Sequence, residues 1–148
     1  MPRNKGLTLV EILLAAAILV TAFTGILSFN AQYLKSLEST RNFSVAVNAA
    51  LERLEKIKAR TNPSDETLKI DFDQLTQYNN SEFDIYAADN TTVLPNFKGI
   101  SYVQAAMTQP ITMYRVKVLV WWTEVDGKTI GSKTASPVSL QTTIMNMG

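Results

Sequence analysis

The chain contains neither cysteine nor histidine. Without cysteine no disulfide braces the fold and thiol chemistry is excluded. Without histidine the commonest general base is missing, and with both absent so are the usual zinc ligands. Composition therefore speaks against an enzyme, and no cofactor or metal site is expected. Proline is scarce: 5 residues in 148, none of them between Pro2 and Pro63. Nothing in that interval forces a helix to stop or bend. A surplus of one charge is missing as well, since 14 basic side chains face 13 acidic ones. There is no polycationic footprint for nucleic acid, nor the interleaving of aromatic and basic residues found on single-strand platforms. The length suits one domain plus at most one membrane segment.

What is present is concentrated at the N-terminus. Residues 1–6, Met-Pro-Arg-Asn-Lys-Gly, are short, basic and turn-forming. Residues 7–29 are almost unbroken hydrocarbon, interrupted by Thr8, Glu11, Thr21, Thr24, Gly25 and Ser28. About 20 apolar residues at 1.5 Å each span a bilayer core of roughly 30 Å, so this stretch reads as a transmembrane helix. Arg3 and Lys5 on its flank place the N-terminus on the cytoplasmic side and export the rest. Glu11 does not fit a plain anchor, because a carboxylate in the apolar run costs about 2.5–3.5 kcal/mol on insertion scales. No basic residue lies between Leu7 and Lys35. The expected partner is the amine that cleavage before Leu7 would create, on the same chain or on a neighbouring one.

The segment Lys5-Gly6-Leu7-Thr8-Leu9-Val10-Glu11 resembles the prepilin recognition sequence of type IV pilins and type II secretion pseudopilins. The likeness combines a basic flank, a glycine, a short leader, a glutamate at the family spacing and a following apolar helix. It implies cleavage between Gly6 and Leu7 by a prepilin peptidase, N-methylation of Leu7, and an assembly role for Glu11 against the amine of another subunit. The implied partners are that peptidase, other pilin or pseudopilin subunits, an inner-membrane assembly platform, and membrane lipid before assembly. The implied location is the bacterial inner membrane, then a periplasmic or cell-surface filament. Leu7 stands where phenylalanine is commoner, and Ser28 about where many major pilins carry a helix-bending proline. The cysteine-free C-terminal part, with Trp121-Trp122 and a final hairpin, resembles a minor pilin or minor pseudopilin more than a disulfide-looped major pilin.

Helical character continues through residues 30–61, where Val47, Ala50, Leu51, Leu54 and Ile57 recur on one face while Glu52, Arg53, Glu55, Lys56 and Arg60 keep to water. Asn62-Pro63 ends the helix; from Leu7 to Thr61 it would be about 80 Å long at 1.5 Å per residue. Residues 62–81 are polar and acidic and read as a connecting region. Strand patterns fill residues 82–148: Phe83, Ile85 and Ala87 alternate; Ile100 to Val103 is short and β-rich; Tyr114 to Val125 is the strongest strand. Asp126-Gly127 makes a turn, and Val138, Leu140, Thr142 and Ile144 mark a last strand. The expected fold is α+β: a pilin-like long N-terminal helix packed on an antiparallel sheet of about four strands. Trp121 and Trp122 fall on opposite faces, one in the helix–sheet core and the other outside.

Several other readings compete. A secretory signal peptide would be cut after Val20-Thr21-Ala22, before Phe23; Glu11 within its apolar core counts against it. An uncleaved anchor on a periplasmic binding module leaves Gly6 and Glu11 without a purpose. Acidic pairs at Asp71 and Asp73, or at Glu124 and Asp126, have no evident cleft and read as solvated loops or turns. Asp71 and Asp73 also lack the spaced ladder of oxygen ligands that calcium requires.

Overall fold

The computed structural model describes residues 8–61, 72–87, 89, 91–107 and 113–145. Helix α1 (Leu9–Thr61) is uninterrupted and passes through Gly25. Thr61, its last described residue, turns its hydroxyl back to the Lys58 carbonyl at 2.7 Å, and the Asn62-Pro63 pair expected to end it lies outside the described residues. The chain divides into two units, Met1–Thr40 and Arg41–Gly148. In the first, the described residues are helical from Leu9 onward, and the large apolar side chains from Leu9 to Phe29 are 56% to 76% exposed. Water does not favour such a surface, and its length and apolar character are compatible with a membrane anchor.

The second unit holds the core. The last turns of α1 bury Ala46, Ala50, Leu54 and Ile57, at helical steps of four and three. The buried stripe is rotated from the one expected: Ala46 is fully buried, whereas Leu51 is 46% exposed. A second departure concerns Arg53, which does not keep to water but is half-buried among aromatic rings.

Among the described residues the sheet has five strands, all pairs antiparallel: β1 (Ser81–Phe83), β2 (Phe97–Met107), β3 (Met113–Thr123), β4 (Thr129–Ile130) and β5 (Val138–Met145). Strand β3 lies between β2 on one side and both β4 and β5 on the other. Its alternation places Tyr114, Val116, Val118, Val120 and Trp122 on the core face, all buried. Trp122 meets Phe97 with ring centroids 6.0 Å apart and the edge of Phe43 at 6.4 Å. Truncating such a side chain to alanine costs about 3–5 kcal/mol. Strand β1 is shorter than the Phe83–Ile85–Ala87 alternation suggested. After Phe83 the chain leaves β2 and folds on itself: Tyr86 bridges Val93, and Leu94 donates to the Ile85 carbonyl at 2.8 Å. In the connecting region, residues 62–71 lie outside the described part; a 3₁₀ helix (Phe72–Tyr78) follows and buries Leu75.

The opposite sheet face is not uniformly wet. Ile100 and Leu119, cross-strand partners on that face, are buried. The segment from Gly131 to Pro137, between β4 and β5, accounts for this. Gly131 lies against Trp121, and Lys133 pairs with Glu82, which sits beside Ile100 on β1. To connect those points the segment must cross over Leu119 and Ile100. Trp121 is half-buried as a result, while Trp122 is in the core. The Asp126-Gly127 turn forms as expected: Gly127 has φ +81°, Glu124 and Lys128 are joined by a 2.9 Å backbone bond, and Asp126 Oδ1 accepts from the Lys128 amide at 3.0 Å.

Candidate functional site

Gly6 and Leu7 lie outside the described residues, so the site begins at Thr8. Thr8 precedes the first helical residue, and Glu11 sits one turn in. The Thr8 amide donates to Glu11 Oε2 at 2.8 Å and the Thr8 hydroxyl donates to the same oxygen at 3.0 Å. In return the Glu11 amide donates to Thr8 Oγ1 at 3.3 Å. This is a capping box, in which two orphan amide donors at a helix start are satisfied reciprocally. The carboxylate also lies at the positive end of the helix dipole.

That geometry corrects one expectation. Glu11 has a partner within its own chain, Thr8, and does not depend on a new amine for all its hydrogen bonds. The signal is present in the sequence as Thr8-x-x-Glu11 ahead of an apolar run. The two carboxylate oxygens are not equivalent. Oε2 takes both Thr8 bonds, and Oε1 accepts none among the described residues.

Two other polar side chains in the apolar run, Thr21 and Thr24, are satisfied locally. Thr21 Oγ1 bonds the Ala17 and Ile18 carbonyls at 3.1 and 2.8 Å, and Thr24 Oγ1 bonds the Thr21 carbonyl at 2.9 Å. Hydroxyls returned to the preceding turn in this way do not prevent a helix from lying in hydrocarbon. By length and composition α1 is able to cross a membrane.

In the second unit a groove of about 380 Å³ runs between α1 and the Phe83–Ala87 segment, lined by Asn48, Glu52, Arg53 and Lys56 among others. The Arg53 guanidinium stands 4.9 Å from the Phe83 ring centroid and 5.2 Å from that of Tyr78, with Nη2 3.4 Å from Ser81 Oγ. Burial draws its pKa down, with Tyr78 acting in the opposite sense; a guanidinium remains charged nonetheless. The arrangement fastens helix to strand. Of the acidic pairs, Asp126 is employed in its turn, while Asp71 and the side chain of Asp73 lie outside the described residues.

No protein-family model matches the chain, and comparisons with curated proteins and with solved structures give no significant match either.

Proposed function

We propose that this protein is a structural filament subunit: a minor pilin or pseudopilin, trimmed after Gly6, N-methylated on Leu7 and assembled through its N-terminal helix. The carrying observation is the conjunction of the Lys5–Glu11 motif with a helix whose apolar side chains are exposed from Leu9 to Phe29. Before assembly that surface is covered by lipid; after assembly it is covered by the helices of other subunits. Lipid provides little hydrophobic drive for helices to associate, so a polar contact at a defined depth sets register. Glu11 has the means for it: Oε2 anchors the carboxylate to Thr8 and Oε1 remains for the amine of another subunit. The α+β unit Arg41–Gly148, which includes the last turns of α1, would be the exported part.

Glu11→Ala tests this role. The variant is expected to be cleaved normally but to enter filaments poorly, as measured by the processed chain recovered in sheared filaments against that left in membranes. Normal incorporation contradicts the register role.

A second reading has one observation in its favour. The capping box gives Glu11 a purely local purpose, as it would in an uncleaved anchor carrying a periplasmic binding module. That reading expects no trimming, and activity indifferent to Glu11→Ala.

A further inference from the structure

The outer face of the sheet changes character along β3. Toward one end Ile100 and Leu119 are buried. The next two cross-strand rows are Tyr102–Lys117–Gln141 and Gln104–Arg115–Thr143, read from the registers of β2, β3 and β5. Each of these residues lies one step from a core residue such as Val103, Val116, Val118 or Ile144, so both rows share the outer face. Tyr102, Gln104, Arg115, Lys117 and Gln141 together line a recess of about 310 Å³, at the small end of the range for ligand sites. No aliphatic and no acidic side chain is among them.

The two charges in this recess have no counterion among the described residues. Strands β2, β3 and β5 carry Lys98, Arg115 and Lys117 and not one aspartate or glutamate, in a chain with 13 acidic residues to 14 basic. The ion pairs among the described residues are Glu52–Lys56, Glu55–Lys58 and Glu82–Lys133. An acid across the strand would stabilise a cation; Arg115 and Lys117 have a tyrosine, two glutamines and a threonine there instead. Lys117 is half-buried, so its charge loses water without compensation. We propose that this recess binds an acidic sugar chain, its carboxylates on Arg115 and Lys117 and its hydroxyls on Tyr102, Gln104 and Gln141. Charge complementarity selects the anion: the two cations stand about 7 Å apart along one face of β3, and the arginine fork matches a carboxylate. The neutral lining selects the frame, because amides and a phenol both donate and accept, as hydroxyls do. A protein partner would need an apolar anchor at the centre of its contact, and the recess has none. A nucleic acid would need stacked rings or a long file of cations, and one tyrosine with two cations supplies neither. The site does not depend on trimming at Gly6.

The test titrates the full chain, in a zwitterionic detergent at low salt, with trigalacturonate and follows the heat of binding. Binding is expected, and it should be lost when the carboxylates are methyl-esterified, which keeps the hydroxyl frame. Arg115→Gln combined with Lys117→Gln should weaken it at least about tenfold, since bonds to charged groups are the stronger class. The melting temperature of that variant should be unchanged, and Arg115→Lys, which keeps the charge, should retain most of the affinity. Lys58→Gln removes a cation from α1 and should have no effect. The proposal is overturned if trigalacturonate does not bind, or if the double variant binds it as well as the parent. It is equally overturned if the methyl ester, triglutamate or trithymidylate binds as tightly.

Discussion

A single methyl group added at Gly99 should be costly for its size. Gly99 pairs with Phe83 across β1 and β2, and the Phe83 ring lies over the space where a side chain would be. A Cβ there would stand 2.6 and 2.7 Å from Cε2 and Cε1 of that ring and nearer still to Cζ. The ring cannot simply retreat, because Arg53 is stacked on it. Overpacking of this kind costs about 1–3 kcal/mol, offset in part by the roughly 0.4–1 kcal/mol that alanine gains by stiffening the unfolded chain. A net loss of about 1 kcal/mol lowers the melting temperature of a unit this size by roughly 4–8 °C. Circular dichroism melts of Gly99→Ala should show that fall. The cause is isolated by repeating the substitution in a Phe83→Leu background, where the clash is gone and the cost should largely vanish. An equal loss in both backgrounds would refute the steric account.

Arg53→Met should lower stability by about 1–2 kcal/mol through loss of the stacked cation between Tyr78 and Phe83; Arg53→Lys should recover only part of it, since an ammonium does not stack as a plane. Ser101 is fully buried and its hydroxyl bonds the carbonyls of Tyr78 at 2.9 Å and Ser81 at 3.2 Å. Ser101→Ala should cost about 1–3 kcal/mol in urea unfolding, because those carbonyls lose a donor in a dry site. Acid sensitivity follows from Glu82 and Asp89. The hydrogen bond and charge of Lys133 hold Glu82 below its ordinary 4.5, and the Thr92 hydroxyl, with the amides of Thr92 and Thr91, holds Asp89 below its ordinary 3.8. Depressed carboxylates stabilise above the unfolded value and lose that contribution as pH falls through the folded one. Glu82→Gln and Asp89→Asn should therefore flatten the decline in melting temperature below about pH 4.5, with little change in its slope near pH 7.

The sequence made α1, β3, β5 and the Asp126-Gly127 turn readable, because each is a local pattern: a proline-free helical run, strict alternation, or a dipeptide suited to positive φ. What was not readable depends on tertiary placement. Nothing local distinguishes Arg53, which stacks, from Lys56, which stays exposed. Periodicity could not decide between Ala46 and Leu51 for the core, since the approach of the sheet chooses the stripe. Leu119 falls outside the core stripe of β3, and no local pattern tells that it and its cross-strand partner Ile100 are buried. At the candidate site, the composition showed Glu11 to be out of place, while its partnership with Thr8 lay in a three-residue spacing that belongs to helix starts in general.

Processing at the N-terminus tests the central claim most directly. The protein is co-expressed with a prepilin peptidase, and its first residue and mass are read by mass spectrometry. The filament-subunit account predicts a chain beginning at Leu7 and carrying an N-methyl group; an intact Met1, or a chain that begins at Phe23, would contradict it.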